Sequence, residues 1–395
     1  MQRAMLLTAA ALIGLGAGSA QSEPDHHLFV VGGYSTSGDL NVVPDGVDNE
    51  LDARIDRNLR SVLVADVDSD AKTVTNWRRA GLLPLEHPVT SEQVAWGYLY
   101  NGVSYLNGRI YVGPARTDAG GVPANFVAWA EVNTDGSLGE FETSPTIPGA
   151  EAGIQGQGAV AIVEVDDTHY VYVLGGRAGD AGGQTDRIIY APIDSDTGAV
   201  GAWEVASITI PSTDWFNSAI GIDGTLIHVS GNQRGSMSAD LIVPQADGDL
   251  VGSWISEEYS TDLTNRWETA VTTATDPAGD TYVYFICGSP APRNRVDYSK
   301  FEFGLTSVWE SSTFPVERGR PTASGANDMI VVPGGSETSG FTAGVNTVFI
   351  GTVANGGAVT WAESAEPMMQ ERSFHGSIMV AVEDETTSVG DWMLH

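Results

Sequence analysis

The feature that most constrains this chain is an aromatic mark that returns along its whole length. Trp77, Phe141, Trp203, Trp254, Trp309 and Trp361 each follow a Gly-rich or acidic turn, at intervals of 64, 62, 51, 55 and 52 residues. Pro84, Pro148, Pro211, Pro315 and Pro367 follow five of them within six to eight residues. Self-similarity at a period near 50 points to one stack of like units rather than several unlike domains. A second mark is an apolar run ending in Gly. It occurs as Leu28-Phe-Val-Val-Gly-Gly33, Ile110-Tyr-Val-Gly113, Val171-Tyr-Val-Leu-Gly-Gly176, Leu226-Ile-His-Val-Ser-Gly231, Tyr282-Val-Tyr-Phe-Ile-Cys-Gly288 and Met329-Ile-Val-Val-Pro-Gly-Gly335. Further strand-like runs follow, as at 61–67, 187–190 and 346–350. Asx/Gly clusters such as 133–136, 194–198 and 247–249 then lead to the aromatic. Gly and Asn tolerate the positive φ of tight hairpins. Each unit reads as four short antiparallel strands, and no long segment has a period of 3.6.

Six such sheets around an axis bury both faces against neighbours and leave only short edges. The Gly-Gly strand ends, the Trp-to-Pro spacing and Arg372-Ser-Phe-His375 resemble the kelch repeats of secreted bacterial β-propellers, over about residues 26–384. The first unit begins at a second strand, Leu28 to Val31, and residues 373–382 form an inner strand with no blade after them. The expected fold is therefore all-β: a six-bladed β-propeller of four-stranded antiparallel blades, closed by pairing the C-terminal inner strand with the N-terminal strands. Residues 21–384 form this one domain and 385–395 a tail. Kelch propellers carry many functions, so the resemblance implies the fold and leaves the activity open.

Residues 1–20 read as a secretory signal peptide: Arg3, an apolar run over 5–15, and Gly18-Ser19-Ala20 for cleavage. The run is too short to span a bilayer, which takes about 20 apolar residues. An exported protein, periplasmic or extracellular, without membrane insertion is expected. The 19 Lys+Arg against 51 Asp+Glu give a net charge of −32, which argues against nucleic acid as a partner. Most of the acids read as a solubility coat, which favours a monomer. The single cysteine, Cys287, excludes an internal disulfide framework and falls at a strand end, where it reads as packing.

Aligned through their Gly ends, the inner strands place Asn101, Gln157, Asn217, Glu268, Thr322 and His375 at one position, all polar and suited to line a central channel. Arg266, Arg320 and Arg372 then converge near Glu268 and His375, with Trp215 and Trp267 alongside. An Arg fork suits a carboxylate, and an aromatic face can stack on a sugar ring. Ligand-binding candidates are thus Arg266, Arg320, Arg372, Trp215, Trp267, Gln157 and Asn217, in a module for a carbohydrate or a protein ligand. Against this stands a structural role, since kelch arginines tie blades together through backbone carbonyls and His375 belongs to the repeat pattern.

Enzyme readings find less support. Asp194-Ser-Asp-Thr-Gly198 before Trp203 is similar to the Asp-box of six-bladed sialidases, but its spacing fails. The Cys-linked Tyr and two His ligands of copper radical oxidases have no counterpart. The alternative function is a carbohydrate-active enzyme, such as a kelch-type sugar-acid mutarotase, with Glu268 or His375 as acid or base.

One insertion stands out in the first unit, residues 34–60. Asp45, Asp48, Asn49, Asp52 and Asp56 fall at the positions of Asp-rich calcium loops in secreted proteins, although Glu50 and Ala53 depart from that pattern. Calcium takes six to eight oxygen ligands, so it is the expected cofactor of this loop.

Overall fold

The computed structural model describes residues 24–35, 54–55, 58–99, 102–115, 122–148, 158–178, 183–211, 217–229, 237–260, 268–289, 293–302, 308–337 and 344–382. Every regular element among them is a strand, and the main ones form six four-stranded antiparallel sheets arranged as a β-propeller. From the axis outward, blade 1 is Val103–Leu106, Arg109–Val112, Ala128–Glu131 and Glu142–Thr143. Blade 2 is Ala159–Val165, Thr168–Leu174, Ile188–Ile193 and Glu204–Val205. Blade 3 is Ser218–Ile222, Thr225–Val229, Met237–Ile242 and Ile255–Ser260. Blade 4 is Ala270–Thr275, Thr281–Ile286, Arg293–Lys300 and Glu310–Arg318. Blade 5 is Ser324–Ala326, Met329–Pro333, Val348–Val353 and Val359–Glu363.

Blade 6 is built from both ends of the chain. Gly376–Ala381 is its inner strand and pairs with His26–Val31, His26 opposite Ala381 and Val31 opposite Gly376. Ser61–Asp68 and Thr73–Leu82 complete it. The closure expected from the sequence is the one observed.

The near-continuous apolar runs have a simple cause. Side chains alternate between the two faces of a strand, and in a propeller both faces of a middle strand are covered. Phe29 and Val31 pack with Ile110 and Val112 of blade 1, while Leu28 and Val30 pack with Met329 and Val331 of blade 5. Full burial of each such side chain contributes roughly 1.5–3 kcal/mol.

The turn glycines and the aromatic marks join neighbouring blades. Gly248 and Gly357 adopt φ of +83° and +82°. A Cβ on either would lie 2.4 or 2.5 Å from the ring of Tyr170 or Tyr282 in the preceding blade. Beside these rings the hydroxyls of Tyr172 and Tyr284 donate to the Gly248 and Gly357 carbonyls at 2.7 and 2.9 Å. Tyr111 does the same to Gly198 at 3.0 Å. At the seam between blades 6 and 1 the ring is an imidazole: His27 Nε2 lies 3.0 Å from the Thr134 carbonyl. The indoles just before the outer strands reach back too, Trp203 donating to Pro145 and Trp254 to Thr209, each at 2.8 Å. The repeat marks are contacts between repeats.

Candidate functional site

The axial channel is narrow. It encloses about 200 Å³ and is lined by all six inner strands, with Ser104, Thr272, Thr273, Ser324 and Ser377 supplying hydroxyls. Neighbouring strands approach closely there: a Cβ on Gly221 would lie 1.9 Å from the Ile162 carbonyl, and one on Gly325 1.8 Å from that of Thr273. Asn217, Glu268, Thr322 and His375 do not line this channel. The polar groups of interest sit where the inner strands begin, at the mouth.

Strand pairing also corrects the alignment of these positions. Ala270 faces Ile286 directly before Cys287-Gly288, and Gly376 faces Val31 directly before Gly32-Gly33. Ser324 faces Val331, three residues before Gly334. Counted back from these pairs, Glu268 is equivalent to Arg320 and Phe374, not to Thr322 and His375. The three share a left-handed backbone, with φ of +57°, +52° and +57°. Asn217 precedes Ser218, which faces Val229, and so it is the equivalent of His375. Spacing between glycine marks misses this because the segments leading into the inner strands differ in length.

In this register the arginines separate into two roles. Arg318 and Arg372 are equivalent, and each accepts through its own carbonyl the N–H of the second turn residue of the preceding blade's strand end, Gly288 at 3.1 Å and Gly335 at 3.0 Å. Their side chains clamp the strand end of their own blade or the next. Arg372, fully buried, donates to the carbonyls of Gly32 and Ser61 at 2.8 Å and to the Ser61 hydroxyl at 2.7 Å. Arg318 donates to Thr347, the counterpart of Ser61, and to Glu337 at 2.9 Å. Both side chains hold the fold.

Arg320 behaves differently. Its Nε lies 3.1 Å from both oxygens of Glu268, donating to Oε1, and the Ser289 hydroxyl donates to Oε2. On its other side the guanidinium stands 4.4 Å from the centre of the Phe374 ring, a cation–π contact. Phe374 meets Tyr98 edge-on at 4.5 Å, and Tyr34 stacks on Tyr98 at 6.2 Å. Carboxylate, guanidinium and aromatic rings thus run sideways from blade 4 through blades 5 and 6 towards blade 1. Glu268, Arg320, Phe374 and Tyr98 are all buried, and Tyr34 is half-buried.

His375 and Asn217 each reach the backbone of the preceding blade. His375 is buried, with Nε2 3.1 Å from the Pro333 carbonyl. Burial, aided by the nearby Arg372 charge, pushes its pKa down to about 3, so the ring is neutral at ordinary pH. Asn217 donates to the Leu174 carbonyl at 3.1 Å and accepts from the Ala159 N–H at 3.2 Å, tying blade 3 to blade 2. It also lies 3.1 Å from His228 Nε2, whose other nitrogen faces Asp240 at 3.2 Å.

Arg266, Trp267, Trp215 and Gln157 lie outside the described residues, as do Asp45, Asp48, Asn49, Asp52 and Asp56 of the acidic insertion and residues 1–23 and 383–395. Among the described residues no cluster of three or more His, Cys, Asp or Glu could hold a metal ion. Among them, too, no helix is long and apolar enough to cross a membrane. Sequence reasoning missed Ser289, Phe374, Tyr98, Tyr34 and the structural Arg318. A signal existed only for Phe374, inside the Arg-Ser-Phe-His string.

No family model matches the chain, and no curated protein does. Among solved structures it is similar to one described as "Structure of YjhT", at 12% identity and a TM-score of 0.49, over 77% of this chain and 91% of that one.

Proposed function

We propose that this chain is an exported kelch-type propeller that acts as a binding module, taking a hydroxyl-rich or acidic carbohydrate at its axial mouth. One observation carries the reading: Glu268, Arg320 and Phe374, at the starts of three consecutive blades, are all held in left-handed backbone geometry. Among the described residues, seven of the nine other non-glycine residues with positive φ are Asn, Asp or Ser, types common in turns, and the other two are Lys72 and Cys287. Glu, Arg and Phe are not turn types, and each left-handed residue costs about 1–2 kcal/mol. Strain of this kind gathers at binding sites, where the surroundings hold a side chain in place. In this reading a ligand draws on Arg320 for donors, on Glu268 and Ser289 for oxygens and on the Phe374, Tyr98 and Tyr34 rings, and it reaches these buried groups by exchanging contacts they make with one another. In this reading Arg266, Trp267, Trp215 and Gln157 complete the mouth. A neutral His375 bonded to Pro333 is a poor acid or base, which favours binding over catalysis.

A melting screen of sugar acids and neutral sugars tests this reading. A ligand at a hundred times its Kd stabilises by about 2.7 kcal/mol, a rise of several degrees. That rise is expected for one ligand class with the natural protein and is absent with Arg320→Gln. No shift with any sugar, alongside capture of a defined protein partner, would move the module from carbohydrates to proteins.

The acidic insertion is proposed to take calcium through Asp45, Asp48, Asn49, Asp52 and Asp56. Calorimetry should show calcium binding that is lost in the Asp48→Asn/Asp52→Asn double variant. Equal heats from both proteins would remove the metal site.

A further inference from the structure

A second cavity lies at the closing seam, apart from the mouth and off the axis. It encloses about 280 Å³ between the end of the blade 6 inner strand, Val380 to Val382, and blade 1, which contributes Tyr105, Asn107, Arg109, Glu131 and Thr134. Its origin can be read from the repeat. At two other joints the rings of Tyr170 and Tyr282 cover the next blade's turn glycine. At the seam His27 stands beside Gly136 instead, and the smaller imidazole covers less.

We propose that this cleft binds one neutral sugar unit through vicinal hydroxyls. Arg109 Nη2 and Glu131 Oε1 pair at 2.9 Å on its edge, and Nη1 reaches the Asn107 carbonyl at 3.3 Å. A guanidinium has five N–H donors, so three stay unused among the described residues. The Asn107 amide and the second Glu131 oxygen make no hydrogen bond among them either. Glu131 is 68% exposed and Arg109 16%, so the pair is open from one side. Vicinal hydroxyls both donate and accept, and they can bond to both partners without parting them. A carboxylate at this edge would sit beside Glu131 and an ammonium beside Arg109, so either charged ligand meets a like charge that a neutral hydroxyl does not. Tyr105, Val132 and Val380 supply the apolar face a pyranose ring needs. The volume lies just below the usual range of small-molecule pockets, which suits one ring and not a chain of them.

Calorimetry with galactose, glucose, mannose and N-acetylglucosamine, set beside glucuronate and glucosamine as charged counterparts, tests the assignment. At least one neutral sugar should bind saturably, and the charged forms should bind about tenfold more weakly. Asn107→Gly and Glu131→Gln, both in exposed positions, should each weaken binding about tenfold, the effect of losing one hydrogen bond of this kind. The assignment is overturned if no neutral sugar binds, if charged and neutral forms bind alike, or if both variants bind as the natural protein does.

Discussion

Gly198, Gly248 and Gly357 are constrained by a side chain of the preceding blade as well as by their own turns. Gly248 is required twice over, by its φ of +83° and by the Tyr170 ring at 2.4 Å from any Cβ. Gly248→Ala should therefore destabilise the fold by about 2 kcal/mol or more, combining left-handed strain with overpacking. Chemical denaturation measures this directly, and a change under half that size would show that the joint is loose. The mouth shows the opposite case. Glu268, Arg320 and Phe374 occupy left-handed positions that no propensity marks, so spacing could not register them. Alignment of the inner strands does place Arg320 and Arg372 beside this position, in a chain with 19 basic residues. It could not show that Arg372 turns to the Gly32 and Ser61 carbonyls while Arg320 turns to Glu268.

At the scale of the blade, the tyrosine latches make stability depend on pH. Burial pushes Tyr111 up to about 12, and Tyr172 and Tyr284 higher still. An unfolded tyrosine titrates near pH 10. Because the folded pKa is raised, the folded state keeps the proton longer. This contribution is fully present below about pH 10 and is lost as pH rises through the folded values. Alkaline titration should thus give a cooperative loss of β-structure above about pH 10, coincident with tyrosinate absorbance. Gradual titration of all twelve tyrosines near pH 10, with the structure retained, would show that the latches are exposed. The blades themselves were legible in the sequence, because a hairpin needs Gly or Asx and each Gly-ended strand carries its own apolar run. Their joints were not, since Tyr172 finds the Gly248 carbonyl across 76 residues of chain.

For the whole molecule, the count of six blades and the closure followed from two incomplete ends, Leu28 to Val31 and residues 373–382, which are complementary halves of one sheet. The charge of −32 acts at this scale as well. Self-repulsion among exposed carboxylates opposes the compact state, and salt screens it within about 10 Å at 0.1 M. The melting temperature should rise steadily from low salt to molar sodium chloride. A melting point independent of salt would mean that the acids are locally compensated.

If the mouth is the binding site, the ligand enters where Glu268, Arg320 and Phe374 meet. A crystal structure of the protein with the best ligand from the melting screen tests it most directly. The expected result is density for that ligand against the Arg320 guanidinium and the Phe374 and Tyr98 rings. Density confined to the rim or the seam, with the mouth unchanged, would contradict it.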